Sequence, residues 1–551
     1  MQENLTEKDI NDVFNDILFL EEKVIDEAYE EGYKIGAAQG NKEGYHLGYH
    51  RGAEIGSEVG YYLGVTEKYI DNYANFEEKP VKILRSLENL KQLILEFPQI
   101  NSPEADVVVL KETIERLVNY LEPLLPLANV HMVDFFTKNV YETYLPAEIK
   151  SDLKKYKHRD VMDKLFNNDY SDLPNLKSYV TKSQEYTLKN LEVCLQTDSL
   201  IQKLSSNCSE PSRLKLNVFM NSKKSHEVDI LSYVIAVLKN ISGTTHLVDI
   251  GDGKGYLSSL LALHNKIPVL GVDASETNTD GSVKRIKKLS KVWNSITSDA
   301  AKESSQHLYK QITKYVDENV DFLSLVSNTF LAEPEGLGLI GLHTCGDLAP
   351  TCLKLFHKNE SIRTICNVGC CYHLLSEIYE EDTKSGEFPM SNYLKEKNLK
   401  IGRAARMIAA QSMERILEKK EVPNVTLFYR ALLEIILQRD FIVGDKNKQV
   451  GRFRKRPANF SEYVEKALKR LNLEPITKDC EILSLLKLYE EREYEVYIFF
   501  LLRNMLSPII ESLILLDRLL YLQELGLTNS YIVQFFDPVI SPRCYGLVAM
   551  K

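Results

Sequence analysis

Two clusters in this chain combine residue types and spacings that suit chemistry. The first is Asp249-Ile250-Gly251-Asp252-Gly253-Lys254-Gly255, three glycines at alternate positions behind an acid. Glycine lets a backbone turn tightly and come close to a nucleotide-like ligand. About 20 residues on, Asp273 closes a second apolar run, where a carboxylate accepts the hydroxyls of a ribose. The second cluster is split over His343-Thr344-Cys345-Gly346-Asp347 and Cys370-Cys371-Tyr372-His373. Three thiols and two imidazoles admit two chemistries: tetrahedral zinc binding, or an acceptor pocket with His343 or His373 as general base. A wall of buried thiols is the plain alternative. The reading adopted is the pocket without a metal. Cys370 or Cys371 as a covalent nucleophile is open, since a thiolate of depressed pKa attacks readily, but nothing else in the sequence demands it.

The elements that position these residues follow from apolar patterning. Residues 245–250 and 267–272 read as short strands around a helix at 256–263, a βαβ unit. Strands at 337–342 and 362–368 put both halves of the second cluster at the carboxyl ends of adjacent strands. Ligands collect there in open α/β sheets. Helices are expected over 348–357, 412–437, 461–471 and 508–522, a late strand over 494–502 and a last one over 545–549. Residues 274–336 read as a long polar insertion with a basic helical start. The expected division is 1–130, 131–245 (helical) and 246–551. The fold class is α + α/β: a helical N-terminal segment, then a Rossmann-like doubly wound sheet with helical additions.

The acidic-G-x-G-x-G spacing departs from the dinucleotide fingerprint and takes the form typical of S-adenosylmethionine methyltransferases. No lysine–serine pair follows, so a P-loop is not indicated. Asp249, Gly251, Gly253, Lys254, Gly255 and Asp273 are the cofactor-binding candidates. Lys223, Lys224 and His226 join them, because lysines just ahead of the first strand's helix could close over the methionine carboxylate. Asp347, after the fourth strand, joins His343, His373, Cys345, Cys370 and Cys371 as a catalytic candidate. The adenine-N6 signature, Asp or Asn before Pro-Pro and an aromatic, is absent; Phe536-Asp537-Pro538-Val539 is not it. The basic runs Lys284-Arg285-x-Lys287-Lys288-x-x-Lys291 and Arg452-x-Arg454-Lys455-Arg456 could track phosphates, with Phe453 and Phe460 as stacking partners.

A separate pattern fills the N-terminus. Glycine occupies every fourth position: Gly32, Gly36, Gly40, Gly44, Gly48, Gly52, Gly56, Gly60 and Gly64. A four-residue step on a helix drifts by only ~40°, so these glycines form one bare ridge. Each costs about 1 kcal/mol of helix stability relative to alanine, so the ridge makes sense only against another backbone. Collagen has a period of three and needs proline. The polar spacers exclude a membrane-spanning zipper.

From about residue 12 to 130 the chain resembles the deca-GX3 domain of the Yae family, in its oral-cancer-overexpressed branch. Val13-Phe14-Asn15-Asp16-Ile17, Glu30-Glu31-Gly32, the 53–60 segment and Phe97-Pro98 carry the resemblance. It implies an adaptor that pairs with a second deca-GX3 protein. Such adaptors pass a ribosome-recycling iron–sulfur ABC ATPase to cytosolic iron–sulfur assembly. Stand-alone members tend to end in an acidic-then-aromatic docking tail; this chain runs on to Ala549-Met550-Lys551. Residues 131–551 resemble the methyltransferase-like family that includes the ribosomal-RNA-adenine-dimethylase-domain-containing proteins. The resembling pieces include Met220–Glu227, Val248–Leu257, Gly341–Pro350, Asn367–His373, Leu515–Tyr521 and Phe536-Asp537-Pro538. The H-x-C-G and C-C-x-H blocks also look like those of a tRNA 2′-O-methyltransferase family, which points toward an RNA acceptor.

Bulk properties agree. Nine cysteines scattered over 551 residues read as reduced thiols of the cytoplasm or nucleus. The net charge of −10 argues against wholesale coating of nucleic acid, so RNA contact must come from local patches. The polar N-terminus and short apolar runs give no expectation of a signal peptide or membrane partner. The expected function is an S-adenosylmethionine-dependent methyltransferase of RNA fused to an adaptor; the alternative is a non-catalytic adaptor in iron–sulfur protein maturation.

Overall fold

The computed structural model describes residues 42–74, 81–95, 103–204, 211–296, 305–378, 386–441, 450–451, 453–474 and 478–551. The chain divides into two units between Asp106 and Val107. In the first, one unbroken helix, Lys42–Ala74, carries Gly44 through Gly64, and a second helix, Val81–Leu95, is tied to it by Lys91–Glu67 at 2.7 Å. Gly32, Gly36 and Gly40 lie outside the described residues.

The boundary expected near 130 falls earlier. Helix Pro103–Leu121 buries Leu110, Ile114, Leu117 and Leu121 in the core of the second unit. Their helical spacing puts them on one stripe. The helical region that follows shares that core: Phe135 meets Phe499 at 5.6 Å, and the Tyr179 hydroxyl donates to the Leu502 carbonyl at 2.8 Å.

Among the described residues, eight strands form one sheet. They are β1 (Cys194–Gln196), β2 (His246–Ile250), β3 (Val269–Asp273), β4 (Tyr309–Thr313), β5 (Leu337–Cys345), β6 (Ile362–Cys370), β7 (Ser530–Gln534) and β8 (Tyr545–Met550). Their spatial order is β1-β7-β8-β6-β5-β2-β3-β4. All pairs are parallel except those of β8 with β6 and β7. From β2 the chain builds outward to β3 and β4, then returns to β5 on the other side. The switch point therefore lies between β2 and β5, where doubly wound sheets open a ligand crevice.

Three expectations are corrected. Residues 274–336 are not a polar insertion; they contain helix Glu276–Ile296, β4 and helix Phe322–Phe330. As an edge strand β4 is buried at one residue only, so its apolar signal is weak. The strand expected at 494–502 is a helix, Glu493–Asn504, buried on every side; a short apolar run cannot tell the two apart. The helix expected over 412–437 is two, Met413–Glu418 and Thr426–Asp440, parted by a loop holding Pro423. The most apolar stretch, within Asp479–Glu524, is 89% buried inside the unit.

Candidate active site at the switch point

The glycine turn is built as its spacing suggests. Gly251, Gly253 and Gly255 have φ of +73°, +60° and +64°, in the left-handed region that side chains avoid. Gly255 caps helix Tyr256–Leu263. The Gly253 amide donates to Asp273 Oδ2 at 3.0 Å, so the turn and the end of β3 are clamped together. Asp273 Oδ1 also accepts from the Ser275 amide (2.8 Å) and Asn278 (3.1 Å). A carboxylate has about four acceptor positions, so one remains for a ribose. A Cβ on Gly253 would meet nothing closer than the Gly251 carbonyl at 3.9 Å, so the space over the turn is open. Lys254 is exposed, its stem against Gly281.

Asp249 faces inward. It accepts from Ser258 Oγ at 2.6 Å, and Asp252 accepts from the same hydroxyl at 2.6 Å. One hydroxyl has one hydrogen, so it serves only one of the two carboxyls at a time. Burial first, and then each other's charge, push Asp249 up; burial does the same for Asp252, against donors that include Tyr309. Asp249 is thus a brace of the turn rather than a ligand contact.

Glu227, not among the sequence candidates, joins two of their groups. Its carboxylate is fully buried yet surrounded by donors: Lys224 at 2.9 Å, His343 Nε2 at 3.1 Å and Ser541 Oγ at 2.7 Å, with Lys223 at 3.6 Å. Burial alone would raise its pKa; His343 and Lys224 override this and hold it far below the usual carboxylate range. Lys224 also lies 5.9 Å from the Tyr256 ring, the residue just after the turn. The Lys223–Lys224 pair therefore sits beside the glycine turn with more positive charge than Glu227 neutralises. His226 points elsewhere, its Nε2 accepting from the Asp537 amide at 3.3 Å and its ring 6.0 Å from Phe536.

His343 occupies a break in the β5–β6 register with φ of +76°. A non-glycine residue held there signals a conformation imposed by its surroundings. The Glu227 carboxylate only accepts, so Nε2 carries the proton of that bond and Nδ1 is the other ring nitrogen.

Cys345 and Cys370 end β5 and β6 as paired neighbours, and Cys371 follows with φ of +51°. The three sulfurs converge: 3.1 Å for Cys345–Cys370, 3.4 Å for Cys345–Cys371 and 3.7 Å for Cys370–Cys371. The Cys370 contact, against burial, draws the Cys345 thiol down to about 6, while its two neighbours are pushed up. His343 and His373 do not join this sulfur cluster. Asp347 accepts from the Ser376 amide at 2.7 Å and serves the loop after the cluster. Gly346 is required there: its φ is +55°, and a Cβ would meet the Leu374 carbonyl at 2.6 Å.

The other motifs are supports. Buried Asp517 accepts from the Met390 and Ser391 amides at 2.7 and 2.9 Å, and Arg518 passes over Gly369 behind the cysteines. Of the first basic run, Lys284, Lys287, Lys288 and Lys291 are exposed at helical spacing, forming one face. Arg285 turns inward instead, 4.2 Å from the Tyr256 ring. Arg454, Lys455 and Arg456 are exposed. Phe453 and Phe460 are not free to stack on bases: Phe460 is fully buried, and Phe453 lies under Arg470 at 4.2 Å.

The mostly parallel sheet, its switch point and the glycine turn make a Rossmann-like domain, and residues 223–378 match the family described as a methyltransferase domain. Residues 28–66 match the N-terminal domain of the essential protein Yae1. The chain is similar to the mouse (Mus musculus) protein named probable methyltransferase-like protein 25, 29% identical over 580 residues, 81% of this chain and 97% of that one. The human (Homo sapiens) protein of the same name is 28% identical over 594 residues, covering 81% and 98%.

Proposed function

We propose that this chain transfers methyl groups from S-adenosylmethionine to RNA. The observation that carries the donor assignment is the turn: three left-handed glycines, an amide clamped to Asp273, and open space above Gly253. Asp273 takes the ribose, and the surplus charge of Lys223 and Lys224 takes the methionine carboxylate. The acceptor lies toward β5, where Glu227 positions His343 to draw off a proton. The face of Lys284, Lys287, Lys288 and Lys291 supports an RNA acceptor, because it gathers positive charge on a chain of net charge −10. The N-terminal segment is an adaptor for a second glycine-ridge protein and, through it, the ribosome-recycling iron–sulfur ATPase. The place of action is the cytoplasm, with the nucleus as a second site.

Calorimetry of the full chain with S-adenosylmethionine tests the first step. Gly253→Val projects a branched side chain into the open space and should weaken binding at least tenfold, about 1.4 kcal/mol. Donor binding at wild-type strength in that variant would remove the turn from the site. Labelled donor with fractionated RNA and protein tests the second. Label in protein alone would reject the RNA acceptor.

A further inference from the structure

We propose that Cys345, Cys370 and Cys371 bind one zinc-like ion through three thiolates, leaving its fourth position open. The sulfurs lie 3.1, 3.4 and 3.7 Å apart. Non-bonded heavy atoms settle near 3.5–4.0 Å, and sulfur is among the larger of them, so this is a crowded trio. A disulfide does not account for it: an S–S bond is about 2.0 Å and would take two of the three sulfurs. One ion about 2.3 Å from each sulfur does, since it would sit roughly 1.2 Å above their plane and hold all three.

The backbone is arranged for the same convergence. Cys345 and Cys370 are direct partners at the carboxyl ends of two parallel strands. Cys371 is held at φ of +51°, a conformation that costs about 1 kcal/mol or more and brings its sulfur back to the other two. The site is graded from inside to outside: Cys370 is buried, Cys371 half-buried and Cys345 exposed. Among the described residues, no fourth histidine, cysteine or carboxylate joins the group. His343, two residues before Cys345, has its Nε2 on Glu227. Three protein ligands and an open position are the pattern of a reactive rather than a structural zinc. The open position takes water or an incoming oxygen, nitrogen or sulfur donor, whose proton the ion makes easier to lose.

Three thiolates also invite an iron–sulfur cluster. In a [4Fe–4S] cluster each thiolate binds a different iron, and in a [2Fe–2S] cluster at most two share one, so three thiolates would be spread farther apart than ligands on a single ion. The observed spacing favours one ion. Binding releases whatever protons the three sulfurs still carry. The proposal does not depend on donor binding at the glycine turn.

The test is elemental analysis of the full chain purified under reducing conditions without chelator. About one zinc per chain is expected, absent from Cys345→Ser and kept by Cys480→Ser, which alters an exposed cysteine outside the cluster. Cobalt loading of the wild type should give the thiolate charge-transfer and visible bands of a tetrahedral site, a readout that survives if a variant fails to fold. Iron with acid-labile sulfide would overturn the single-ion assignment. A zinc-free chain that takes up no cobalt, or zinc retained in full by Cys345→Ser, would overturn the site.

Discussion

Glycine does opposite work in the two units. In the first, nine glycines keep a four-residue period, and at Gly60 and Gly64 an added Cβ would meet nothing within 4 Å. In the second, glycines are irregular and mostly crowded by their own chain: Leu374 closes on Gly346, Arg518 on Gly369 and Phe535 on Gly546. A crowded glycine is explained by its own fold. A bare glycine ridge is not, because each position lowers helix stability, and at Gly60 and Gly64 no contact is gained in return. The glycines of the second unit serve its own turns and strands; Gly60 and Gly64 serve no contact among the described residues of the first.

Substitutions that fill glycines should separate the units. Gly346→Val combines a left-handed backbone with a collision at a carbonyl, and should destabilise the second unit by about 3 kcal/mol or more. The chain has one tryptophan, Trp293, buried in that unit, so its fluorescence in a urea titration reads this loss. An unshifted midpoint would mean the crowding at Gly346 is easily relieved.

Glu227→Gln probes the site's buried charge and should cost about 2 kcal/mol by the same readout. Its sign with pH is fixed by the depressed pKa. The carboxylate's contribution is present above the unfolded-state value, about 4.3, and is lost as pH falls below it. The wild type should therefore lose stability on acidification faster than Glu227→Gln. Parallel curves for the two would show that Glu227 is not held ionised.

Gly60→Leu should have the smallest effect on folding and the opposite sign. Helix content by circular dichroism should rise, with a gain of about 1 kcal/mol, while the Trp293 transition stays put. Capture of a second glycine-ridge protein should fail, because the side chain holds the two backbones apart. Capture at wild-type strength would make the ridge a feature without an interface.

What could be read from sequence was what local geometry controls. A four-residue glycine period specifies a ridge on any helix, and G-x-G-x-G behind an apolar run specifies left-handed turns wherever the chain goes. The strands β2, β3, β5 and β6 were legible because their buried runs are dense in apolar residues. Strands β1, β4 and β7 were not, because they are short or half-buried and exist through their neighbours' hydrogen bonds. Helix Glu493–Asn504 was misread because full burial erases periodicity. Glu227 was missed as a site residue because its meaning depends on His343 and Ser541, 116 and 314 positions away. The same holds for the cysteines. Spacing grouped five thiols and imidazoles; only the register of β5 on β6, and two residues held at positive φ, decided that three sulfurs meet while His343 turns to Glu227. Convergence of distant side chains is a property of the packed sheet, and no stretch of sequence contains it.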